Sequence, residues 1–299
     1  MFASHIGEFA ALLTACCWTA TALAFESASN KVGSVAVNLL RLLLAFCYLS
    51  IFSLITRHTA LPLDATASMW TWLSISGFIG FVIGDLFLFE SYTIIGSRIS
   101  MLIMTTVPLI TALMSWLMMG ETLTLLNIAG MALTIGGISI VIVTRNGKGE
   151  RRFSIKHSLK GISFAFIGAM GQAVGLVFSK IGMGSYNAFA ATQIRIITGI
   201  IGFVIVISVW KKWRNVGTAV KNTSAMKRIF AGAIFGPFLG VSFSLFAVQH
   251  ANTGVASTIM AIVPVLIIPP AIIFLRQKVT LKETIGAMIS VTGVALLFI

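Results

Sequence analysis

Apolar residues fill this chain in long unbroken runs, separated by short polar stretches. Ten runs stand out, at roughly 6–25, 34–56, 69–91, 97–119, 124–144, 159–179, 187–210, 228–249, 255–275 and 280–299. Each approaches the ~20 apolar residues that a helix needs to cross a bilayer. The runs do not alternate as barrel strands would. The segment Ile135-Gly-Gly-Ile-Ser-Ile-Val-Ile-Val143, for example, is continuously apolar. Helices also pair their own backbone groups, as hydrocarbon requires. The pattern predicts an all-α polytopic membrane protein with ten transmembrane helices. The first run has His5 and Glu8 ahead of or within it and no basic leader, so it reads as a span and not as a cleaved signal.

Composition agrees. Hydrophobic residues make up 58% of the 299, charged residues 10%, and the mean hydropathy is +1.01. Soluble domains carry about 25% charged residues. Cys16, Cys17 and Cys47 all lie within apolar runs and read as small hydrophobes, with no metal-ligand spacing.

The net charge of +13 is unevenly placed. Arg145, Lys148, Arg151, Arg152, Lys156 and Lys160 join spans 5 and 6, and Lys211, Lys212, Arg214, Lys221, Lys227 and Arg228 join spans 7 and 8. Arg276, Lys278, Lys282, Lys31 and Arg98 fall on the same side, which leaves Arg57 and Lys180 on the other. This is a positive-inside bias. It predicts cytoplasmic basic loops, both termini outside, and residence in the plasma (inner) membrane. Basic loops of this kind also attract anionic lipids. Nucleic-acid binding would want interleaved aromatics, and only Phe153 and Trp213 qualify, so nucleic acid is not an expected partner.

The chain repeats itself. Adding 156 carries Gly80 onto Gly236, Gly84 onto Gly240, Val107-Pro108 onto Val263-Pro264, Thr124-Leu125 onto Thr280-Leu281, and Gly130 and Gly137 onto Gly286 and Gly293. An offset of 154 serves the first two spans and carries Arg41 onto Arg195. The division predicts repeats over 1–146 and 157–299. Five spans per copy is an odd number, so the second copy enters the membrane inverted. Inverted repeats recur in secondary transporters, with substrate held between the halves.

The stretch from Phe89 through Pro108 to Gly120-Glu121 resembles the helix 3–4 signature of the EamA family of the drug/metabolite transporter superfamily. A small-residue run precedes a proline and then a Gly-Glu pair. Val255 to Pro264 repeats the pattern, although Arg276-Gln277 stands where Gly-Glu would. The resemblance covers the chain as two units and implies a ten-helix metabolite exporter. Pro108 and Pro264 are hinge candidates, because each removes a backbone hydrogen bond and favours a kink.

Ionisable groups within spans are costly and face cavities or partners. Asp85 shares a helix face with Phe81, Phe89 and Tyr92. That face suits a cationic or zwitterionic substrate or a proton-coupling site; a structural ion pair is the alternative. Arg41 and Arg195 either snorkel to headgroups or bind an anionic group. Trp18 and Gln172 align under the 154 offset as cavity walls. The Gly-x-x-x-Gly runs at Gly80–Gly84, Gly171–Gly175 and Gly232–Gly236–Gly240 predict close helix approach. No hydrolase, metal or phosphate-binding motif occurs, so neither an enzyme nor a cofactor is expected. The expected function is secondary active export of small metabolites such as amino acids by alternating access. The alternative is a flippase or efflux pump for lipid-linked or drug-like amphiphiles.

Overall fold

The computed structural model describes residues 5–145, 155–266, 268–269 and 280–298, and omits side chains at 22–23, 26, 96–99, 101–102, 145 and 155–158. The expected Lys148, Arg151, Arg152, Arg276, Gln277 and Lys278 lie outside the described residues, as do the side chains of Glu26, Arg98, Arg145 and Lys156.

The regular structure described is helical. The order is α1 (Ile6–Val32), α2 (Ser34–Arg57), α3 (Ala67–Gly77), a π-helical segment (Phe78–Asp85), α4 (Leu86–Met104), α5 (Val107–Met119) and α6 (Leu125–Arg145). The second half runs α7 (Ile155–Met183), α8 (Ala188–Val209), α9 (Trp213–Lys221), α10 (Thr223–Ala233), a second π-helical segment (Ile234–Gly240), α11 (Val241–His250), α12 (Thr253–Met260), α13 (Val263–Leu266) and α14 (Leu281–Leu296). Six helical stretches among the described residues are long and apolar enough to cross a membrane, and shorter apolar helices accompany them. Large apolar side chains such as Ile55, Leu113, Ile201 and Met288 face outward, as a lipid-facing surface requires.

Both halves break at the same places. The two π-helical segments, the first from Phe78 and the second from Ile234, start 156 residues apart. A π turn widens the helix by a residue per turn and often sits at functional sites. The second π segment contains Pro237, whose missing N–H suits a loosened ladder.

At Pro108 and Pro264 the helix is interrupted by a two-residue turn, a stronger loosening than a simple kink. α4 ends at Met104 and α5 starts at Val107; α12 ends at Met260 and α13 starts at Val263. Each proline is thus the second residue of a new helix, where an N–H would have no partner in any case. The freed groups are taken up by tight turns, Thr106 N–H to Ile103 O at 3.0 Å and Ile262 N–H to Ile259 O at 3.2 Å.

α4 holds a second irregularity. The Ser91 hydroxyl donates to Ser100 Oγ at 2.8 Å. Nine residues of straight helix would advance ~13 Å, so α4 folds back on itself between them. The second half opens the same corner, where Ala251 and Asn252 separate α11 from α12. The basic 211–228 stretch is not merely a loop either. It contains α9, which turns Val216 and Ala219 inward and leaves Arg214, Gly217 and Lys221 exposed.

α6 and α14 meet on the pseudo-two-fold axis. A Cβ on Gly137 would lie 2.5 Å from Gly286 O, and one on Gly293 would lie 2.7 Å from Gly130 O. Since Gly286 and Gly293 are the counterparts of Gly130 and Gly137, each pair contacts its own images, the hallmark of a two-fold interface. Ser290 Oγ donates to the carbonyl of its own counterpart, Thr134, at 3.1 Å. A capping box closes the start of α14: the Thr280 hydroxyl and Glu283 exchange bonds with each other's backbone N–H. Replacing Thr280 with Ala should lower stability by about 1 kcal/mol, readable as a small drop in thermal midpoint in detergent.

The small-residue faces fare differently. Gly80 and Gly84 do pack against Gly171 and Gly175, with Gly80 Cα 3.0 Å from a Cβ on Gly175. Gly232, Gly236 and Gly240 instead make room for the rings of Phe25 and Trp18.

Candidate functional site

A cavity of about 250 Å³ lies where the breaks converge. Helix ends from both halves wall it: Met104, Thr105 and Val107 from the first interruption, and Met260, Ala261, Val263 and Pro264 from the second. The two π segments supply Phe81 and Asp85 on one side and Gly236 and Pro237 on the other. Of the sequence-predicted site residues, Trp18, Arg41, Phe81, Asp85, Phe89, Tyr92, Gln172 and Arg195 all line it. Pro264 does so too, while Pro108 is buried one residue behind Val107.

Asp85 is not the open carboxylate that a cation site would present. It is 5% exposed and forms an ion pair with Arg41. Gln172 Nε2 donates to its other oxygen at 2.6 Å and to Gly80 O at 3.3 Å. The π turn ending at Asp85 aims this carboxylate across the bundle toward α2 and α7. The alternative reading of a buried ion pair therefore describes it.

Arg41 and Arg195 do not snorkel. They are 7% and 4% exposed and turn inward. Arg41 lies over the rings of Phe25 and Phe89, with its guanidinium carbon 5.4 and 4.9 Å from their centroids. Arg195 lies over Phe81 at 4.9 Å. Aromatic faces shelter such cations at the cost of few hydrogen bonds. Gly77 lets this happen, because a Cβ there would lie 2.5 Å from Arg195 O.

The end of the bundle away from the basic loops is tied by polar contacts that sequence reading did not find. Lys180 Nζ meets Glu121 Oε1 at 2.5 Å and donates to Ala251 O at 2.7 Å. Glu121 also accepts from Thr253 N–H at 2.8 Å and from the Thr253 hydroxyl at 3.0 Å. Gly120, with φ +68°, ends α5 in the left-handed conformation that swings Glu121 to this position. The Gly-Glu pair thus joins α5 to α7 and α12. Nearby, Arg57 reaches Asp64 at 2.5 Å and Tyr186 at 3.3 Å. The only signal for the Glu121 tie was the Gly-Glu pair itself, because its partners lie 59 and 132 residues away.

Burial by itself would push the Glu121 carboxyl upward. The Lys180 and Thr253 hydrogen bonds outweigh it and hold the group below the usual carboxylate range. A depressed carboxyl contributes closure that is complete above its ordinary value and is lost as pH falls through the lowered one. Acidification through and below the ordinary carboxylate range should therefore loosen this end. Glu121→Gln should loosen it at neutral pH. Hydrogen-exchange protection of the Thr253 amide, corrected for its intrinsic pH dependence, checks both, with lower protection expected in each case.

The comparisons with known proteins agree with this architecture. An "Uncharacterized transporter" of Archaeoglobus fulgidus is 24% identical over 110 residues, covering 37% of this chain and 36% of that protein. The chain thus matches about a third of that relative's length. A crystal structure of a protein superposes with TM-score 0.72 at 18% identity, covering 98% of this chain and 96% of the other, which speaks to the fold alone. A model of the EamA-like transporter family matches residues 5–143 and again 159–299. With nearly the whole chain accounted for in two copies, this polytopic helical membrane protein belongs to the EamA-like transporter family of the drug/metabolite transporter superfamily.

Proposed function

We propose that the protein is a secondary active transporter that exports small metabolites by alternating access. The carrying observation is the cavity on the inverted-repeat interface, bounded by matching helix interruptions from both halves. Helix interruptions on the interface of inverted repeats let each half tilt as a unit. One end is closed by the Glu121–Lys180–Thr253 tie. Breaking that tie while the basic end closes would move the opening from one face to the other.

The cavity volume favours a small metabolite over a lipid-linked amphiphile. About 250 Å³ lies just below the ~300–1,000 Å³ typical of small-molecule pockets. Proton coupling through Asp85 is not part of this reading, because its carboxylate is already held by Arg41 and Gln172. The charge bias supports a reading with the basic loops in the cytoplasm and both termini outside; residence in the plasma (inner) membrane belongs to the same proposal. Proteoliposome counterflow tests transport. Uptake of labelled substrate driven by unlabelled substrate inside is expected, and its loss on cross-linking Glu121→Cys to Lys180→Cys. Uptake unaffected by that cross-link would contradict alternating access.

A further inference from the structure

The two halves differ at one decisive position. Arg41 and Arg195 are counterparts under the 154 offset, and Asp85 and Val241 are counterparts under 156. In the first half the arginine meets its acid. In the second half the acid is missing, and Val241 lines the cavity in its place. Arg195 makes no side-chain hydrogen bond or ion pair among the described residues, and its Nε is buried without a partner. Yet it lines the cavity at 4% exposure.

Among the described residues, the charged side chains lining the cavity are thus two guanidiniums and one carboxylate. Asp85 lies close enough to act on Arg195 as well, but its carboxylate is paired with Arg41, so one acid serves two buried cations, and a buried cation so weakly compensated is expensive at membrane depth. Phe81 offers its ring face, which is a partial compensation only. We infer that the transported substrate is an organic anion, whose carboxylate docks on Arg195 and supplies the charge that Val241 does not. The rest of the pocket defines the other end of the molecule. Trp18, Phe81, Leu176, Met260 and Val263 present apolar surface, so the carboxylate carries a compact apolar or aromatic body. A free amine gains nothing here, because Asp85 is committed to Arg41.

This inference rests on the transport reading and names its substrate class. Equilibrium binding of labelled phenylacetate to the purified protein tests it, with phenylacetamide and phenethylamine as competitors of similar shape. Phenylacetate should bind at least about tenfold more tightly than either competitor, the scale of one charge-assisted pair. Arg195→Gln should lose at least about tenfold in affinity, and Arg195→Lys should keep part of it, since the ammonium retains the charge without the fork. Val241→Asp should rebuild the first-half pair in the second half and block phenylacetate while the thermal midpoint holds. Equal binding of the amide or the amine overturns the inference. So does undiminished binding in Val241→Asp, or no binding of phenylacetate to the natural protein. Flux is a separate readout. Binding in the expected pattern with no movement across a bilayer keeps the anion site and contradicts transport. Movement of phenethylamine in preference keeps transport and contradicts the anion site.

Discussion

Asp85→Ala should lower stability by about 3–5 kcal/mol, because removing one partner of a buried pair strands the other. Arg41 would keep its charge between Phe25 and Phe89 without its ion-pair partner among the described residues, and Gln172 would lose an acceptor at 2.6 Å. Thermal unfolding in detergent reads the loss. Asp85→Asn keeps an oxygen for Gln172 but not the charge, so it should fall between. The double exchange Arg41→Met with Asp85→Leu removes both charges together. It should recover most of the lost midpoint, as buried pairs often tolerate apolar replacement. Additive losses in that cycle would show that the two residues do not act as a pair. The same double exchange should leave phenylacetate binding at Arg195 in place, since Arg195 does not depend on Asp85 for a hydrogen bond.

Gly137→Val should cost at least about 3 kcal/mol, at the upper end of ordinary overpacking. Its first added carbon already meets Gly286 O, Ser290 N and Ser290 Oγ, each at 2.5 Å. Two of these are backbone atoms on α14, and they cannot step aside without separating the halves. Gly136 next door has nothing within 4 Å. Gly136→Val should therefore be nearly neutral, apart from the mild helix preference against β-branched residues. By the pseudo-symmetry, Gly293→Val should match Gly137→Val, since its Cβ would meet Thr134 N at 2.5 Å. Yield of folded protein and thermal midpoint measure all three. A tolerant Gly137→Val would remove the close α6–α14 crossing from the account of how the halves are held.

The spans and their doubling were open to sequence reading because lipid imposes a single demand on every residue facing it. Ten apolar runs met that demand, and glycine matches at Gly130/Gly286 and Gly137/Gly293 marked where two backbones touch. The same 156 offset placed both interruptions, since Val107-Pro108 recurs as Val263-Pro264. A full break was less legible than a kink, because a proline permits either and neighbouring turns decide. The π segments left no signature: Phe78–Asp85 is as apolar as any helix around it. α9 was read as a loop because its charges and Gly217 hide the inward pair Val216 and Ala219. The site residues were found by type and face, but not their partners. Arg41 and Asp85 are 44 residues apart and Gln172 and Asp85 are 87, so only the packed bundle brings them together.

Alternating access through the cavity can be tested at Ser257, which lines it from α12 and is 3% exposed. The probe is Ser257→Cys in a chain freed of Cys16, Cys17 and Cys47, sealed in vesicles and treated with a membrane-impermeant maleimide from each face. Labelling is expected from both faces. Cross-linking Glu121→Cys to Lys180→Cys should then abolish labelling from the face that carries Thr253 and leave the other unchanged. Labelling from one face only before cross-linking, or from both faces after it, would contradict the alternation of the two inverted halves about this cavity.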